Sequence, residues 1–221
     1  MSNRRPILPE TVRFYRAEVS RVAELRPGFR RVTVSSEELS AFDHLGFDHW
    51  FRLFLPHPDQ TEWRLPTATS KLWYAQWLAT PARQRPHCAN YTVADFRPTE
   101  RELDIDVVLH RRPSGELEGR VAQWAASADL GDRVALLDEG LLFNPPSDTS
   151  AVVLAGDESA LRRWPAFCST WSRVRRATPC SRYPLVPTFG SCPILPGWMC
   201  SGWSGTSAIQ RRPLVQRHWR H

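Results

Sequence analysis

All 23 acidic residues of this chain lie at or before Glu158. The 60 residues from Arg162 to His221 carry ten arginines and no Asp or Glu, with five of the ten tryptophans and four of the five cysteines. A soluble domain ordinarily mixes both signs of charge over about a quarter of its positions. The tail also shows no sustained helical or strand period. A packed core is therefore expected within residues 1–161, and 162–221 is expected to be an aberrant, disordered tail.

The same split decides what the basic balance means. Residues 1–161 hold 19 Lys and Arg against 23 acids, a net −4, so the overall charge of +6 belongs to the tail. A phosphate-neutralising basic face is thus missing from the part expected to fold, and nucleic acid is not an expected partner. Cys168, Cys180, Cys192 and Cys200 are spaced by 12, 12 and 8 residues, without the close ligand pairs of a zinc site, so neither a metal nor a disulfide framework is expected. No apolar run approaches the roughly 20 residues of a membrane span. Arg4 and Arg5 have no apolar stretch behind them, so a secretory signal is not expected either. A cytoplasmic monomer is the default expectation.

Within the first part the hydrophobic pattern has the period of strands. Glu102–His110 is the clearest, with Leu103, Ile105, Val107 and Leu109 on one face and Asp104, Asp106 and His110 on the other. Asp48–Leu55 places Phe51, Leu53 and Leu55 on one side. Val12–Val22, Arg30–Val34, Asp132–Leu137 and Ala151–Leu154 complete the expected strands, separated by turns such as Pro27-Gly28 and Gly131-Asp132. Helices are expected at Ser70–Leu78, inside a long insertion, and at Val121–Ala126. Short strands with few helices predict an all-β Greek-key barrel, and periodicity alone also allows a β-sandwich.

Three stretches, in order and spacing, resemble the siderophore-interacting protein family of flavin-dependent ferric-siderophore reductases, relatives of the ferredoxin reductases. The first is Asn90-Tyr91-Thr92-Val93, then Phe96-Arg97-Pro98 and the strand Glu102–His110; the second runs from Gly119 to Trp124 and on to Gly131-Asp132; the third is Leu154–Leu161. The resemblance implies a six-stranded flavin-binding barrel at 10–148, the start of an α/β NAD(P)H-binding domain at 149–161, truncated there, and FAD as cofactor with NAD(P)H as reductant. It assigns Tyr91, Thr92 and Val93 to the flavin, the turn at Val121 and Ala122 to its phosphates, His110 and Trp124 to cofactor contacts, and Gly156, Asp157, Glu158 and Ser159 to the nicotinamide side. The chemistry fits those residue types: a tyrosine ring packs along an isoalloxazine, a threonine hydroxyl bonds its edge, and a helix N-terminus favours a diphosphate. No catalytic acid or base and no resident metal is implied. The substrate implied is a ferric siderophore.

The chain departs from the family where arginines flank the Tyr-Thr pair and where a Ser or Thr opens the second motif: here stand Ala89, Ala94 and Ala122. Arg120 is the residue placed to compensate. The α/β domain that should follow Leu161 does not. Shifted by one base after the Leu161 codon, however, the tail's possible codons also spell an amphipathic helix and then a strand, the family's order at that point. The tail is thus expected to be the out-of-frame translation of a family member's second domain, and NAD(P)H-driven activity to be impaired. The alternatives are a flavin-binding module without reductase activity and a basic-tailed nucleic-acid binder.

Overall fold

A computed structural model of the chain describes residues 6–146, except Phe47, Thr61 and Thr69, and the backbone of 152–155 and 177–180. Strands β1 (Phe14–Arg26), β2 (Phe29–Ser35) and β3 (His49–Leu55) come first. Helix α1 (Trp73–Ala79) precedes β4 (His87–Thr92), β5 (Asp95–Arg97) and β6 (Glu102–Val108). Helix α2 (Arg120–Ser127) and β7 (Arg133–Leu141) follow.

These seven strands form one sheet in the order β4-β3-β7-β1-β2-β6-β5, every neighbouring pair antiparallel. Its two edges are consecutive pieces of the same chain segment. At the junction the Val93 N–H donates to the His49 carbonyl at 2.9 Å and the Ala94 N–H donates to the Asp104 carbonyl at 2.9 Å. One bent strand, β4 running into β5, thus reaches β3 with its first half and β6 with its second, and the sheet closes on itself.

The core follows from side-chain alternation. Leu103, Ile105 and Val107 of β6 point inward with Phe51, Leu53 and Leu55 of β3, all fully buried. Helix α2 plugs this interior with Val121, Trp124 and Ala125. A second cluster lies on the opposite face of β3 and β7, where Phe54, Ala135 and Leu137 pack under Trp73 of α1. The periodicity of β3 marks only its inner face; Phe54 is equally buried because the 56–86 insertion folds back over it. Strand β7 outruns the expected Asp132–Leu137 to Leu141, since Asp138, a sequence signal for a strand end, finds a buried partner in His49.

The expected strand at Ala151–Leu154 is present as β8 (Val152–Ala155). It pairs in parallel with β9 (Ala177–Cys180), which lies inside the tail expected to be disordered. Strand pairing is a backbone property, so the absence of side-chain period at 177–180 does not forbid it. The rest of the tail lies outside the described residues. Among the described residues no helix is long and apolar enough to cross a membrane.

Candidate functional site

Strand β4 sets the geometry. Tyr91 and Thr92 are successive residues and so point to opposite sides of the sheet. Tyr91 stands opposite Phe51 and packs against the barrel core. Burial pushes its phenol up to about 12, so it stays neutral and retains its O–H. Thr92 stands opposite Trp50. The hydrogen bond from Val93 to His49 marks that neighbouring pair as hydrogen-bonded. Trp50 and Thr92 therefore form the adjacent non-hydrogen-bonded pair, the closer kind, and the backbone N–H and C=O of Thr92 turn away from β3.

The Thr92 hydroxyl is buried and has no hydrogen-bond partner among the described residues, and the same is true of the Trp50 indole nitrogen. A buried polar atom left unpaired costs about 1–3 kcal/mol. Two such atoms on directly opposed residues mark a face that a polar ligand would complete. Arg52, two residues along β3 on that face, donates to Glu139 at 2.5 Å and to Asn90 at 3.2 Å.

At the other end of the same hairpin two imidazoles and a guanidinium converge. His87 begins β4 opposite Leu55, and His57 follows the end of β3. Their rings are 6.5 Å apart. Burial, then the His57 and Arg120 charges, hold the His87 imidazole below its ordinary range. Arg120 opens α2 and donates to the Pro56 carbonyl at 2.8 Å, while its Nε is buried without a partner. Burial lowers the Arg120 guanidinium pKa too. No side chain caps α2: its N-cap is Gly119 at φ 85°, and the first intrahelical bond runs from the Gln123 N–H to the Gly119 carbonyl. The amides of Arg120, Val121 and Ala122 precede that bond, as every helix start requires.

Strand β4 thus carries Tyr91 and Thr92 at one end and His87, beside Arg120 of the α2 start, at the other. It uses other expected residues differently. The Val93 amide is engaged with His49 and its side chain is in the core. The Trp124 ring and Val121 side chain are barrel core. His110 is exposed past β6, and its carbonyl accepts from the Glu118 N–H at 2.8 Å, bracing the loop into α2. Gly156, Asp157, Glu158 and Ser159 lie outside the described residues. Sequence reasoning missed Trp50, His57 and His87. The last two become visible once 56–86 is understood as an insertion within the β3–β4 hairpin, which makes its two ends neighbours. A cleft of about 700 Å³ lies elsewhere, lined by Arg16, Glu18, Glu38, Trp63, Arg64 and Arg133 among others, and includes none of these groups.

Residues 18–143 match the model of the siderophore-interacting FAD-binding domain. The NADPH-dependent ferric-chelate reductase of Escherichia coli (strain K12) is 31% identical over 169 residues, which is 73% of this chain and 61% of that protein. The chain therefore spans less than two thirds of that curated relative. The crystal structure of the siderophore-interacting protein SipS from Aeromonas hydrophila superposes with a TM-score of 0.59 at 25% identity, covering 77% of this chain and 59% of that one. A siderophore utilization protein from T. fusca gives a TM-score of 0.64 at 24% identity, over 80% and 62% of the two chains. The closed antiparallel sheet, the Tyr-Thr pair on β4 and the match over 18–143 together make this chain a member of the siderophore-interacting FAD-binding domain family.

Proposed function

We propose that this chain is the flavin-binding half of a ferric-siderophore reductase, a Greek-key barrel that holds FAD along β4. The unpartnered Thr92 hydroxyl carries the reading, because it is a buried polar group on the strand where the family's Tyr-Thr pair stands. When bound, FAD supplies the exchange between the two electrons of NAD(P)H and the single electrons that Fe(III) accepts. The protein's own work is placement. Tyr91 offers a neutral ring and hydroxyl, and Thr92 offers a hydroxyl with its outward backbone groups. The α2 amides with Arg120 supply positive charge for a diphosphate, next to His87, which stands about 17 Å along β4 from Thr92. Arg120 stands in for the arginines that Ala89 and Ala94 replace. The ferric siderophore is the substrate: Fe(II) binds hard oxygen donors more weakly than Fe(III), so reduction releases the metal, and no side chain has to act as an acid or base.

NAD(P)H dependence is supported by the name of the Escherichia coli relative. The composition of the tail supports weak NAD(P)H-driven turnover in this chain, since Gly156–Ser159 is followed by arginine-rich sequence in place of an α/β pattern.

The purified protein is expected to carry FAD, seen as visible flavin absorbance. Thr92→Val, which keeps the shape and removes the hydroxyl, is expected to weaken FAD binding about 2- to 10-fold. The same change is expected to stabilise the flavin-free protein, because the unpaired buried group is gone. A colourless protein that takes up no FAD on titration contradicts the proposal, as does a Thr92→Val variant with unchanged FAD affinity.

A further inference from the structure

We propose that Trp50 is a second cofactor-positioning residue, acting with Thr92 as a two-point polar contact for the edge of the flavin ring. The proposal rests on the FAD reading above and goes beyond it, since nothing in the family's motif points to a residue on β3. Trp50 and Thr92 are register partners on one face of the β3–β4 pair, in the closer, non-hydrogen-bonded kind of pairing. Each carries one buried polar atom, and neither atom has a partner among the described residues.

The two groups are chemically complementary to one ligand edge. An indole N–H only donates, and a threonine hydroxyl donates or accepts. A ring edge with two neighbouring acceptors, such as the nitrogen and carbonyl oxygen along the redox-active side of an isoalloxazine, pairs both at once. An apolar ligand edge leaves both unpaired at continuing cost. The indole is also held for the task. The Arg52 guanidinium carbon lies 5.4 Å from the Trp50 ring centroid, and Arg52 is itself tied to Glu139 and Asn90. A cation over the ring face favours that ring placement. The donor-only indole suits the carbonyl oxygen, whose electron density rises on reduction, and the Thr92 hydroxyl, which can switch from donating to accepting, suits the nitrogen that gains a proton; in that pairing Trp50 is expected to raise the flavin's reduction potential as well as its affinity.

The test compares wild type, Trp50→Phe, which keeps an aromatic ring and deletes the N–H, and Trp50→His, which restores a ring N–H. Dissociation constants come from FAD titration of the flavin-free full chain, and midpoint potentials from spectroelectrochemistry of the reloaded proteins. Trp50→Phe is expected to bind FAD about 2- to 10-fold more weakly, with a more negative potential, and Trp50→His to recover part of both. Equal affinity and potential in wild type and Trp50→Phe overturn the proposal, while the FAD reading stands. Equal losses in Phe and His variants also overturn it, because they report packing and not the N–H. Should Trp50→Phe fail to fold, Trp50→Leu takes its place as the variant without an N–H and is read against wild type and Trp50→His in the same way. A wild-type protein that binds no FAD removes the underlying reading, and this proposal with it.

Discussion

Arg97→Ala is expected to lower the stability of the barrel by about 3–5 kcal/mol, the usual cost of removing one partner from a buried ion pair. Asp104 sits on β6 at 2% exposure, on the outer face of the seam where β5 closes the sheet. Its Oδ1 accepts from Thr33 Oγ1 at 2.8 Å and from Arg97 Nη2 at 2.7 Å. Its Oδ2 accepts from Arg97 Nη1 at 3.0 Å and meets Arg31 Nη1 at 3.0 Å. Arg97 is thus a two-pronged fork on a buried carboxylate, and it also donates to Glu102 through Nε at 3.1 Å. Strand β5 has only three residues, so this fork supplies much of what holds it to β6. Arg97→Lys, a point charge without the fork, is expected to recover less than half of the loss. Urea unfolding at neutral pH should show a lower midpoint with an unchanged slope. The effect carries a pH signature. Burial pushes the Asp104 carboxyl up, but hydrogen bonds from Arg97 and Thr33 and the Arg31 and Arg97 charges outweigh it and hold the group below its ordinary range. A depressed folded-state pKa gives stability that is present above the unfolded value of about 3.9 and is lost as pH falls through the folded value. Wild type and variant should therefore differ most near neutrality and converge in acid. Equal midpoints at pH 7, or a gap that persists undiminished to pH 3, contradict this account.

Asp104 also shows where sequence reading stops. Alternation over 102–110 places Leu103, Ile105 and Val107 inside, and they are fully buried. The same alternation assigns Asp104 to the opposite face, correctly, but that face is covered there by Arg31, Arg97 and Thr33. Three residues from two other strands, β2 and β5, make a buried charge tolerable, and no local window contains them all. Phe96-Arg97-Pro98 was legible as a family motif, whereas the structural task of Arg97 was not. The Tyr-Thr pair was legible in the same way, and Trp50 was not, because its nearness to Thr92 depends on a hairpin register across a 31-residue insertion, 56–86. Trp124 shows the converse: its place in a cofactor-related motif leaves cofactor contact and barrel core equally open, and its ring is buried in the core of a small barrel.

His49→Ala is expected to cost about 3–5 kcal/mol, comparable to what a buried ion pair loses when one partner goes, and to weaken FAD binding as well. His49 is fully buried at the start of β3. Its Nδ1 accepts from the Leu45 N–H at 3.0 Å, so the ring proton resides on Nε2, which faces Asp138 Oδ1 at 2.7 Å. The same Asp138 oxygen accepts from the Gly140 N–H at 2.8 Å. Gly140 is itself fixed: at φ 78° a side chain is strained, and a Cβ would fall 2.1 Å from the Ile7 carbonyl oxygen. The His49 ring stacks on Phe42 at 4.8 Å, and Phe42 meets Tyr15 edge-on at 5.5 Å. Alanine removes the ring from that stack, orphans the Leu45 amide and leaves a 5%-exposed carboxyl group with only the Gly140 amide. The functional consequence comes through the backbone. The His49 carbonyl receives the Val93 N–H, and that bond fixes the end of β4 one residue beyond Thr92. A residue that never touches the cofactor is thereby expected to set the Thr92 hydroxyl in place. His49→Asn, which keeps a side-chain donor and acceptor in less volume, should retain more stability and more FAD affinity than His49→Ala. Denaturant unfolding and FAD titration of the two variants decide the matter: matched losses in both variants, or a loss of stability with wild-type FAD affinity, contradict the coupling from the buried histidine to the flavin-facing threonine.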